Sequence, residues 1–150
     1  MDVRLAITKY GPWDLIIIHI PCTKVAVSGN RWYGTGSARY HERIEYISWA
    51  QETWELVKQN SKKCALENPV SVLFKHIKYD DLFYVQPWQF GHGEVKKTGF
   101  ATVGLPRLEP TMVVDGRADR IFKMGPRDDR QKLRSKTFPG IARAMAEQWG

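Results

Sequence analysis

Residues 15–20, Leu-Ile-Ile-Ile-His-Ile, are apolar at five of six positions. A strand with one wet face alternates, so this run predicts a central strand covered on both sides. Residues 42–58 follow a different period. Ile44, Ile47, Ala50, Trp54 and Val57 recur at helical spacing, and Asn60 and Ser61 supply a stop. Residues 63–66 return to a short buried run through Cys64, Ala65 and Leu66. Strand, crossover helix and strand predict a right-handed βαβ unit with two parallel strands.

The remaining pattern is weaker. Residues 83–88 predict a short strand ending at Pro87, and residues 97–104 a strand closed by Gly104-Leu105-Pro106. Residues 23–39 read as a loop, with Ser28-Gly29-Asn30 and Gly34-Thr35-Gly36-Ser37 as turns, although Trp32 and Tyr33 are unusual in a mere connection. Gly91-His92-Gly93 is a further turn, and residues 108–115 are broken by proline and extended. Residues 1–13 lead to the first strand with no element of their own. A final helix is predicted from Thr137 as its cap, Pro139 in its first turn and a stripe of Phe138, Ile141, Ala142, Met145 and Trp149.

Length and composition then narrow the class. A chain of 150 residues is most simply one domain with a core of its own. No apolar run approaches the ~18 residues of a membrane span, and the N-terminus shows no signal-peptide pattern. Two cysteines make no disulfide framework. These features predict a soluble, cytoplasmic protein without a membrane partner. The net charge of +7 favours an anionic partner. Residues 115–136 carry eight Lys or Arg against four Asp, which is more than half of that excess, and read as a solvated loop or a phosphate-contacting surface. Arg117, Arg120, Lys123, Arg127, Arg130 and Arg134 are the candidate nucleic-acid contacts.

Two short signals carry candidate chemistry. Pro21-Cys22-Thr23 follows the first predicted strand and Glu67-Asn68-Pro69-Val70 follows the second. Ligands of open α/β sheets sit at such strand ends. A thiolate at Cys22 can attack an electron-poor carbon, and a carboxyl at Glu67 can protonate a ring nitrogen. Taken alone, each reads first as a small buried thiol or a capping or surface carboxylate; together on adjacent parallel strands they favour a site. His19 is either a neighbour that tunes Cys22 or a core histidine. Gln86, Trp88, Gln89 and His92, within Gln86-Pro87-Trp88-Gln89-Phe90-Gly91-His92, can stack on and hydrogen-bond a base, or form a structural turn. No spacing of His and Cys suggests zinc.

In this order the two signals resemble the DNA cytosine-5 methyltransferases. The resemblance is closer still to small phage and prophage relatives of that family. It extends through Val27-Ser28-Gly29-Asn30-Arg31-Trp32, the Gln86–His92 stretch and the ending from Arg134 to Ala142, nearly the whole chain. It implies Cys22 as nucleophile toward a flipped cytosine and Glu67 as proton donor at N3. It implies substrate contacts from Asn68, Pro69, Arg31 and Trp32, DNA as partner, and S-adenosylmethionine as methyl donor. The implied fold is α/β: a Rossmann-like methyltransferase fold, truncated at its N-terminus, with a mostly parallel sheet and flanking helices. Two departures qualify it. Ile20 stands where relatives carry a first proline. The segment that holds the first strand and the S-adenosylmethionine turn in relatives has no counterpart in residues 1–13, so methyl transfer would need a second copy or a partner subunit. The alternatives are a catalytically inactive module that binds DNA or a host protein, and an interaction domain that dimerises through an open sheet edge.

Overall fold

The computed structural model describes residues 2–123, 125 and 130–150, with the backbone alone at Ile121, Phe122, Arg130, Gln131 and Leu133. The chain divides into two compact units, Met1–Phe83 with Gly99–Leu105, and Tyr84–Thr98 with Pro106–Gly150.

The first unit is built on the predicted βαβ core. Strand β1 spans Ile16–His19 and β2 spans Cys64–Pro69, and they run parallel with Ile16 opposite Cys64 and His19 opposite Glu67. Cys64, Ala65 and Leu66 are fully buried, as expected of a strand covered on both faces. Before β1 the chain forms helix α1, Val3–Tyr10, which the sequence reading lacks. Asp2 caps it by accepting from the Arg4 amide at 2.8 Å, and Ile7 is its one buried residue. Within residues 23–39, Val27–Gly29 forms a 3-10 helix and Asn30–Tyr33 forms α2. Helix α3, Tyr40–Asn60, is the crossover. It buries Ile47, Ala50, Trp54 and Val57, and the Trp54 indole donates to the Lys78 carbonyl at 2.7 Å.

Strands β3, Asp81–Val85, and β4, Thr98–Val103, complete a four-stranded sheet of order β1-β2-β4-β3. This corrects the expected fold. The sheet is mixed, with one parallel pair and the rest antiparallel, rather than a mostly parallel Rossmann sheet. The reason lies in the connections. A parallel neighbour requires a crossover, usually helical. Only the β1–β2 link contains a long helix. The β2–β3 link holds a 3-10 helix at Val72–Lys75, and the β3–β4 link another at Pro87–Gln89. Strand β4 therefore runs back between β2 and β3. It ends at Gly104, whose φ of +66° and close approach to the Lys62 carbonyl leave no room for a side chain.

In the second unit, short bridges join Phe90 to Met112 and Glu94 to Ala118. The charged stretch is not all loop, since Arg120–Lys123 forms α4 and Arg130–Ser135 forms α5. The final helix, α6, spans Pro139–Trp149. Its N-cap is Phe138 rather than the expected Thr137, and no side chain caps it. Pro139 lacks an N–H and has a fixed φ, which suits the first helical position and sets the boundary one residue later. Trp149 is buried, and its indole donates to the Pro106 carbonyl at 2.9 Å. Among the described residues, no helix is long and apolar enough to cross a membrane.

Candidate functional site

Parallel pairing brings the C-terminal ends of β1 and β2 side by side. The loops that leave them are then joined residue by residue. Val27 N donates to Val70 O at 3.0 Å and Val72 N to Val25 O at 2.9 Å. The Ser71 hydroxyl also donates to Val25 O at 3.1 Å. Asn68 is completely buried, and its Nδ2 donates to Ile20 O at 2.8 Å, which ties β2 to the residue before Pro21-Cys22. The other amide atom, Oδ1, is buried and has no partner among the described residues.

Cys22 is partly buried at the head of this joined loop, and neither cysteine is in a disulfide. Its carbonyl accepts from Val25 N and Ala26 N at 3.0 and 2.8 Å, which makes a tight turn. Helix α3 braces the turn. Tyr46 donates its hydroxyl to Pro21 O at 2.6 Å. Burial pushes that hydroxyl well above the usual tyrosine range, and the neighbouring Cys22 sulfur adds to the effect, so Tyr46 remains a donor. Arg43 is buried and donates to Lys24 O at 2.6 Å and Asn30 Oδ1 at 2.8 Å. Lys24 is also paired with Glu42 at 3.2 Å. Arg43 and Tyr46 belong to no chemical motif, yet the sequence marks them. They lie in phase with Ile47 and Ala50 on the stripe of an amphipathic helix, where polar side chains need partners.

Glu67 stands opposite His19. Its Oε2 lies 2.9 Å from His19 Nδ1, and its side chain is 15% exposed against 44% for the histidine. Pro69 ends β2. Arg31 and Trp32 lie on α2. The Trp32 side is open to solvent, 60% exposed, with the Arg31 guanidinium 5.3 Å from its ring centre. A cleft of about 330 Å³ along β1 is lined by His19, Pro21 and Trp49, with Ile17, Ile18 and Val3 as apolar wall. Cys22, Glu67, Asn68, Pro69, Arg31 and Trp32 thus all belong to the first unit.

The remaining candidates belong to the second unit. Gln86 and Gln89 use their side-chain oxygens internally, the first accepting from Lys96 N at 2.9 Å and the second from Gln86 N at 2.7 Å. His92 Nε2 accepts from Gly140 N at 2.9 Å. A backbone N–H only donates, so the neutral ring carries its proton on Nδ1. Trp88 is covered on one face by the Arg117 guanidinium at 3.8 Å. Arg120 is paired with Glu94, and Lys123 with Asp119 at 2.8 Å. Arg134 lies in α5 and Arg130 at its start, while Arg127 lies outside the described residues.

The residues ahead of β1 form α1, and among the described residues no glycine turn leads from a strand into a helix. That is the cradle an α/β sheet uses for a nucleotide-like cofactor. The described residues hold no such cradle for S-adenosylmethionine. No protein-family model and no curated protein matches this chain.

Proposed function

We propose that this chain binds DNA at an unstacked cytosine, with Cys22 and Glu67 of the first unit facing the ring. The observation that carries this reading is the joining of the two strand ends. The Asn68–Ile20 bond and the backbone bonds of residues 25–27 with 70–72 hold a thiol turn and a half-buried carboxylate as neighbours. A nucleophile and an acid on adjacent parallel strand ends suit addition to an electron-poor ring. The sulfur of Cys22 forms a bond to C6, and the electrons of the C5–C6 double bond shift through C4 to N3, which takes a proton from Glu67. C5 can then accept a proton from water and lose its original hydrogen. The sulfur departs and N3 returns its proton. The net result is exchange of the C5 hydrogen with solvent, with no methyl donor required.

A second reading, a binding module without chemistry, is favoured by the charge of the second unit, whose 12 Lys or Arg against 7 Asp or Glu attract phosphate without any reaction. One experiment separates the two. The purified chain is mixed with single-stranded DNA that carries C5-tritiated cytosine. Binding is measured at several salt concentrations and tritium release is followed. Salt-sensitive binding with release that Cys22→Ala abolishes supports the chemical reading. Salt-sensitive binding without release favours the module. No binding even at low salt overturns both.

A further inference from the structure

The carboxylate of Glu67 is not placed by its own strand alone. We propose that His19 is its positioning residue, a role that rests on the cytosine reading of this site. In a parallel pair, residues in register carry their side chains on the same face, and here the register sets His19 directly beside Glu67. The His19 Nδ1 to Glu67 Oε2 distance of 2.9 Å is a full hydrogen bond. The carboxylate is the more buried partner, 15% against 44% exposed, so the imidazole sits on its solvent side.

The bond answers a specific need. The terminal torsion of a glutamate is broad, so an unpinned carboxylate samples many directions. Binding Oε2 to the ring fixes the plane of the group and leaves Oε1 in one direction for the base. A misplacement of about 1 Å at a reacting centre can cost a hundredfold in rate. Oε2 carries no proton in this pair, whether the group is ionised or holds on Oε1 the proton that N3 takes, so a neutral His19 ring carries its proton on Nδ1 and donates it. The ring also lines the 330 Å³ cleft beside Pro21 and Trp49, on the strand that leads into the Cys22 turn. His19 acts through Glu67 and does not itself touch the base.

The test compares His19→Leu with His19→Asn. The Asn side-chain Nδ2 lies as many bonds from the backbone as the histidine Nδ1, so it can donate to the same oxygen. Leucine cannot. Tritium release from C5-tritiated cytosine DNA should fall about a hundredfold in the leucine variant and recover largely in the asparagine variant. DNA affinity should be unchanged in both. A folded leucine variant that binds DNA and exchanges at the wild-type rate overturns the proposal, as does an asparagine variant as slow as leucine. Wild-type protein that binds DNA without any exchange overturns the cytosine reading itself, and the role of His19 falls with it. If the leucine variant does not fold, the ring nitrogens of His19 decide in the wild-type protein. A ¹⁵N spectrum at alkaline pH with the proton on Nδ1 supports the pair. A proton on Nε2, the form an unpartnered imidazole prefers, overturns it.

Discussion

Arg43 carries a charge into the first unit, where the oxygens that accept from it, on Lys24, Asn30 and Ala26, are uncharged. Burial pushes its guanidinium below the usual arginine range, yet an arginine stays protonated under any physiological condition. The cost of burying it is offset by hydrogen bonds that all reach the loop behind Cys22. Arg43→Met keeps the apolar stem and removes those donors. It leaves acceptors unpaired at Lys24, Ala26 and Asn30, a loss of about 1–3 kcal/mol for a buried group. Urea unfolding should show that loss. Alkylation of Cys22 by iodoacetamide should quicken as its loop loosens. Unchanged stability together with unchanged alkylation would show that the loop is held by other means.

At the scale of single elements, β2 makes the clearest prediction. Cys64 is fully buried, and its thiol is pushed up to about 11, first by burial and then by Asp80, against an opposing effect of Lys58. In the unfolded chain the thiol loses its proton near 9. Between these values the unfolded state has released a proton that the folded state still holds, so stability falls as pH rises. Two units correspond to a loss of about 3 kcal/mol, complete above pH 11 and absent below pH 8. Cys64→Val should flatten this slope in denaturant melts between pH 8 and 10, below the range where Tyr46, also pushed up by burial, adds a loss of its own. A slope that survives the substitution assigns the effect to another group.

The same scale shows what could be read from the chain. The parallel pair and its crossover were legible because residues 15–20, 42–58 and 63–66 each carry a clean period or a continuous apolar run. The direction of β3 and β4 was not, since a short alternating segment fixes its faces but not its neighbour. That depends on connection length. Helix α1 was missed because only Ile7 is buried in it, although Asp2 offered a cap. At the site, Cys22 and Glu67 stood out as residues at strand ends. The partner of Glu67 did not, because His19 lies 48 positions away and only the register joins them. The amides of Gln86 and Gln89 looked open to a base in sequence, yet Gln89 holds its own turn and Gln86 ties that turn to Lys96.

Charge separates the two units of the whole molecule. The first holds 11 Lys or Arg against 9 Asp or Glu, the second 12 against 7, so five of the seven net positive charges lie in the second. If DNA is the partner, its phosphates meet mainly the second unit, while recognition of the ring belongs to the first. The two contributions then respond to different variables. Each phosphate contact to a single strand contributes about 0.7 to the slope of log affinity against log salt. Lys132 and Lys136 are exposed, and Lys132→Gln with Lys136→Gln should lower that slope by about 1.4 if both touch phosphate. Affinity should fall alike for strands with and without cytosine. Cys22→Ala should leave the slope unchanged and abolish tritium release. A double lysine variant with an unaltered slope would remove α5 and its flank from the interface. A Cys22→Ala variant with a reduced slope would contradict the division of labour, because an uncharged side chain releases no counterion.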